Sequence, residues 1–135
     1  MRFLLDTNIL SEVGKKHPDR KVLSWLLAHE SASGVPSVAL AERYYGAHIA
    51  PEEKRVRLLA ELDALVLEAP HRIVPFDENA ARIWGEYISR PALKQKPRGY
   101  PDTQIAAIAL SRGLTIVTRN TVDFPEVPVL NPFED

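Results

Sequence analysis

The chain contains no cysteine, so neither a disulfide framework nor a thiolate metal site can be built from it. It also lacks any apolar run approaching the roughly 20 residues that span a bilayer. The apolar opening "FLL" stops at Asp6, too early for the hydrophobic core of a secretory signal, so a cytoplasmic protein without membrane contact is expected. An excess of basic residues is missing as well: 17 Lys and Arg stand against 18 Asp and Glu, for a formal net charge of -1. That balance excludes a surface coated in positive charge. It leaves nucleic acid open as a partner, because a site that concentrates carboxylates lowers the total while Lys and Arg elsewhere meet phosphates. Internal repeats and low-complexity tracts are absent too.

What is present fits one globular domain over 1–135: the length suffices for a buried core, and 45% hydrophobic with 26% charged residues is ordinary soluble composition. "RFLL" reads as a short buried strand. "PDRKVLSWLLAHE" (18–30) has Val22, Trp25 and Leu26 at helical spacing behind a Pro-Asp start. "SGVPSV" predicts a second strand, with Pro36 near an end or an edge. A helix from Val38 to about Ile49 carries Ala41, Tyr45 and Ile49 on one face, and 51–69 forms a second, with a stripe of Leu58, Leu59, Leu62, Leu65 and Val66. "HRIVP" is a third strand; Asp77 caps a helix bearing Ala80, Ile83, Trp84, Tyr87 and Ile88. Residues 89–100 read as a Pro- and Lys-rich loop, "PDTQIAAIALSRG" as a helix ended by Gly113, and "LTIVT" and "VPVL" as strands four and five. Strands alternating with helices predict an α/β domain with a mainly parallel sheet, in which ligands collect beyond the carboxyl ends of the strands.

Four acids from four separated segments project to that edge: Asp6 after the first strand, Glu42 after the second, Asp102 at the start of "DTQIAAIA", and Asp123 after the fourth. Each has a plainer role available. Asp6 and Asp102 suit helix caps or dipole partners, and Asp123 suits an Asx-type turn. Glu42 fits such a role least, because Ala39, Leu40 and Ala41 beside it read as buried or partly buried and an acid there is costly unless partnered. Crowded carboxylates raise one another's pKa, and a hard divalent cation, Mg²⁺ or Mn²⁺, relieves this. None of His17, His29, His48 and His71 stands beside the acids, which argues against zinc. Such cations support phosphodiester hydrolysis. Thr7, Asn8, Thr118 and Asn120 are suited to orienting the carboxylates, or equally to ordinary caps and turns.

Together, "LLDTNILSEV", "SVALAERYYG", "DTQIAAIA" and "TRNTVDF", closing in "NPF", resemble a PIN-domain ribonuclease of the VapC toxin type, from Met1 to about Phe133. The resemblance implies a three-layer α/β/α sandwich, Mg²⁺- or Mn²⁺-dependent endoribonuclease activity, a cognate small antitoxin protein as partner, and a homodimer. By motif position it implies Asp6, Glu42, Asp102 and Asp123 as the acidic quartet, with Thr118 and Asn120 as the polar positions of "TRNTVDF". Arg43 and Tyr44, and the basic, proline-rich "KQKPRGYP", depart from the usual pattern. The expected chemistry is hydrolysis of an RNA phosphodiester, with the quartet holding metal and water. Lys94, Lys96, Arg98 and Arg119 are the expected phosphate contacts. Two other enzyme classes fit less well. An aspartate-nucleophile phosphatase needs a second acid two positions after the first, where Asn8 stands. A receiver-type domain needs an acid after a central strand, and Asp77 lies in a helix cap. A catalytically inert PIN-like binding module is the non-enzymatic alternative, and retention of all four acids speaks against it.

Overall fold

A computed structural model describes residues 1–134. Five short strands, β1 (Phe3–Leu5), β2 (Ser33–Pro36), β3 (Ile73–Val74), β4 (Thr115–Val117) and β5 (Val129–Leu130), form one sheet in the order β3-β2-β1-β4-β5. Every neighbouring pair is parallel. Phe3, Leu4 and Leu5 are all buried, because β1 is central and covered on both faces, as strands of parallel sheets are.

Alternation along β1 and β4 divides the core in two. Leu4 and Ile116 point to one face, where they meet Ala39 of α3 (Ser37–His48), Ala80 and Tyr87 of α5 (Glu78–Ile88) and Ile105, Ile108 and Ala109 of α7 (Tyr100–Arg112). Phe3, Leu5 and Val117 point to the other, with Ile9 of α1 (Thr7–Val13) and Val22, Trp25 and Leu26 of α2 (Arg20–His29). Helices on both faces of a parallel sheet make the three-layer α/β/α sandwich that the resemblance implies. A third cluster, Ala47 with Leu58 and Leu62, locks α3 to α4 (Glu52–Glu68). No described helix is long and apolar enough to cross a membrane.

Several local expectations are corrected. Residues 7–13 form a helix that their composition hides, since Thr, Asn, Ile, Ser and Val are indifferent helix formers. Asp6 starts it by accepting the Thr7 N–H, and the fully buried Ile9 holds it to the sheet. The stretch 89–100 is not all loop: α6 (Pro91–Gln95) opens on Pro91 and is anchored by buried Leu93. Ala41, Tyr45 and Ile49 do share a face of α3, but that face is exposed. The helix turns small Ala39 and Ala47 inward instead, which brings its backbone close to its neighbours. Helix α7 begins at Tyr100 and ends where Gly113 takes a left-handed conformation (φ 65°), which a Cβ would disfavour.

The strand order has a functional consequence. From β1 the chain moves outward through β2 to β3, then returns to the other side of β1 for β4 and β5. The crevice between β1 and β4, beyond their carboxyl ends, is therefore the topological switch point of the sheet. Asp6 follows β1 directly and Thr118 follows β4 directly.

Candidate active site

Asp6 is 6% exposed and fully engaged. Its Oδ1 accepts the Thr7 N–H at 2.7 Å; its Oδ2 accepts the Thr118 hydroxyl at 2.8 Å and the Asn8 side-chain amide at 3.2 Å. It is thus a helix cap and a wall of the crevice at once. Burial raises its carboxyl above the usual range, the Thr118 hydroxyl and Thr7 N–H oppose this, and the charges of Glu42 and Asp123 raise it further. Glu42, on the second turn of α3, accepts the Thr7 hydroxyl at 2.7 Å, tying α3 to the start of α1.

Asp102 lies in the first turn of α7 and caps nothing, since Gly99 holds the cap position. Its carboxyl is pushed up to about 6, by burial first and then by the charges of Asp6, Asp123 and Glu42, and no hydrogen bond lowers it. Asp123 closes a 3₁₀ turn, Thr121–Asp123, whose N–H bonds the Asn120 carbonyl. Asp6, Glu42, Asp102 and Asp123 all line one cavity of about 380 Å³. Each of the other three raises the pKa of Asp102.

The polar neighbours divide. Thr7, Asn8 and Asn120 line the cavity; Thr118 is fully buried behind Asp6. Its hydroxyl oxygen accepts both the Asn8 amide and the Asn120 N–H. Asn8 also accepts the Arg119 N–H, so the two ends of the chain meet under the site. Of the basic residues, Arg119 lines the cavity, its guanidinium 4.5 Å from the centre of the Phe133 ring. Lys94 and Lys96 are exposed outside the lining. Arg98 also stands outside it, its Nη1 and Nη2 donating to the carbonyls of Lys96 and Val122.

Sequence reasoning missed Glu12 and Lys15. Glu12 is a fifth acid of the lining, 4% exposed, paired to Lys15 at 2.9 Å and accepting the Asp19 N–H at 2.8 Å. These partners, Lys15 foremost, hold its carboxyl below the usual range. It is therefore a compensated acid, unlike Asp102. Recognising 7–13 as a helix would have revealed it, since Asn8, Ser11 and Glu12 fall at the 3–4 residue spacing of one helical face.

The donor set of the cavity suits a hard divalent cation. Its acidic groups present carboxylate oxygens only, no His or Cys lines it, and the raised Asp102 carboxyl is an acid short of positive compensation. Among the described residues no three such side chains, as positioned, converge closely enough to enclose an ion.

A second, larger cavity of about 570 Å³ lies away from the acids. Leu5, Ile9, Leu10, Val13, Leu23, Leu26, Leu27, Val35, Leu40, Leu62 and Leu65 line it, from α1 to α4 and the sheet; Arg43, Arg57, Arg72, Glu30 and Glu61 complete the lining. Arg57 pairs with Glu61 and Arg72 with Glu30, whereas among the described residues Arg43 meets only the Ser11 hydroxyl, at 3.2 Å.

Comparison with known proteins matches residues 3–130 to the PIN domain. A VapC ribonuclease, Y4jK, from Sinorhizobium fredii is 33% identical over 136 residues, covering 97% of both chains. Toxin FitB from Neisseria gonorrhoeae is 34% identical over 138 residues, covering 98% of this chain and 99% of that one. The crystal structure of FitAcB from the same organism superposes with a TM-score of 0.89 at 30% identity, covering 98% and 99%.

Proposed function

The chain belongs to the PIN-domain family as a VapC-type toxin, and from that premise we propose a divalent-metal-dependent endoribonuclease that hydrolyses RNA phosphodiester bonds and is held in check by a small antitoxin. The relatives it resembles are named as a ribonuclease and a toxin. One observation carries the catalytic reading: acids from four separate segments face one cavity at the switch point of the sheet, and three of them raise the pKa of the fourth. An inert module has no use for the uncompensated Asp102 among these acids, which costs stability.

Asp6, Glu42, Asp102 and Asp123 are the proposed holders of Mg²⁺ or Mn²⁺. Such a cation, when bound, supplies Lewis acidity to the phosphodiester and to the attacking water. The chain's own residues do the positioning. Thr118 and Asn8 fix the Asp6 carboxylate, Thr7 fixes Glu42, and Asp102 and Asp123 face them across the cavity. Arg119, held beside Phe133 at the rim, meets a phosphate, and Lys94 and Lys96 extend the basic path. The apolar cavity suits an amphipathic segment of the antitoxin, with Arg43, which meets no carboxylate among the described residues, available to an acidic side chain on it. A homodimer and a cytoplasmic setting complete the proposal.

The test is cleavage of a labelled structured RNA by the purified chain in Mg²⁺, in Mn²⁺ and in EDTA, beside Asp6→Asn. Cleavage that requires metal and disappears in the variant supports the reading. Cleavage that survives both EDTA and the substitution overturns it.

A further inference from the structure

Arg98 is the one basic residue between α6 and α7 whose side chain is tied down. It is half-buried, and none of its guanidinium nitrogens is left facing a carboxylate among the described residues. Nη1 donates to the Lys96 carbonyl at 2.5 Å and Nη2 to the Val122 carbonyl at 3.1 Å, across 24 positions of sequence; Nε is buried without a partner. Val122 immediately precedes Asp123, and Arg98 stands four residues before Asp102. The guanidinium therefore joins the segment that leads into one acid to the turn that carries another.

The same turn is gripped at its other end. The fully buried Tyr87 donates its hydroxyl to the Pro125 carbonyl at 2.8 Å. Arg98 lies close enough for its charge to act on the Tyr87 phenol. Two carbonyls flanking Asp123, those of Val122 and Pro125, are thus held by side chains from α5 and from the loop before α7. A planar fork spans two acceptors in a way a single ammonium does not. A guanidinium that reads phosphate would present that fork outward; here Nη1 and Nη2 each hold a backbone carbonyl.

We infer that Arg98 is a positioning residue that sets Asp123 relative to Asp102, and not one of the phosphate contacts. The inference rests on the reading of the four acids as metal holders. It is tested on the full chain with Arg98→Met, which keeps the volume, and Arg98→Lys, which keeps the charge but lacks the fork. Mn²⁺ binding is measured by calorimetry. Binding of a fluorescein-labelled single-stranded RNA is measured by anisotropy in EDTA over a series of salt concentrations. Arg98→Met is expected to weaken Mn²⁺ about tenfold or more, the effect typical of residues that orient ligands. Arg98→Lys is expected to recover only part of this, and both variants should keep the salt slope of the wild type. A slope lower by about one unit in Arg98→Met, restored by Lys, would mark a phosphate contact and overturn the inference. Unchanged Mn²⁺ affinity in Arg98→Met overturns it equally. Failure of the wild type itself to bind Mn²⁺ removes the metal reading and the inference together, a result distinct from wild-type binding that the variants leave undisturbed.

Discussion

The Thr118 hydroxyl donates to Asp6 Oδ2 at 2.8 Å across 112 positions of the chain. Both residues stand one step beyond a strand, on β1 and β4, which are neighbours only because the sheet order reverses there. The bond opposes the cost of burying the Asp6 carboxylate and helps fix its orientation. Thr118→Val keeps the volume and removes the donor. The expected result is Mn²⁺ binding weaker by about 10–100-fold, read by calorimetric titration. Affinity within threefold of the wild type would show that Asn8 and Thr7 suffice to hold Asp6.

Asp102 makes the uncharged fold more stable than the charged one. Its carboxyl sits at about 6 in the folded chain against an ordinary 3.8, so the folded state binds more protons between those values. Stability is therefore fully present below about pH 4 and is lost as pH rises through about 6. Asp102→Asn, without metal at pH 7.5, should melt above the wild type. Because solvent screens a partly exposed carboxylate, the gain is on the order of 1 kcal/mol, about 3 °C. The gap should close towards pH 4. A variant that melts lower at pH 7.5 would contradict the account of strain in the acidic cluster.

Gly34, in β2, faces a space that a Cβ would overfill. An added carbon would lie 2.5 Å from Met1 Sδ and 2.8 Å from Val74 Cγ2. Met1 is exposed and can swing aside, but Val74 is buried and stiff about χ1. Gly34→Ala should cost about 1–3 kcal/mol in urea unfolding, the usual range for overpacking. An unchanged midpoint would mean that β3 shifts freely.

Leu27 is 79% exposed and lines the apolar cavity. A charge there disturbs little within the chain, whose surface positions generally tolerate substitution within about 0.5 kcal/mol. Leu27→Asp should therefore fold and cleave RNA normally while the cognate antitoxin fails to inhibit it. Full inhibition of the variant would move the antitoxin contact elsewhere.

Much of this protein is legible in the order of its residues. The alternation of buried strands with helices, the punctuation by Asp77 and Gly113, and the placing of acids just beyond strands all follow from local pattern, because periodicity and capping act within a few residues. The helix at 7–13 escaped that reading: its residues are poor helix formers, and Asp6 with buried Ile9 makes it helical through contacts to the sheet. Glu12 and Lys15 were hidden with it. The outward face of α3 was hidden for a related reason, since periodicity identifies an apolar stripe but not which neighbour, if any, covers it. The chemistry of the site lies further still from local pattern. Only the order β3-β2-β1-β4-β5 brings Asp6, Glu42, Asp102 and Asp123 to one cavity, and only there do burial and mutual repulsion lift Asp102 to about 6. The sequence by itself supplied most of the elements and the four acids beyond the strands. Their meeting, the Thr118 bond to Asp6 and the use of Arg98 as a tie between two loops were decided by tertiary structure, because desolvation and Coulomb energy depend on distance in space and not along the chain.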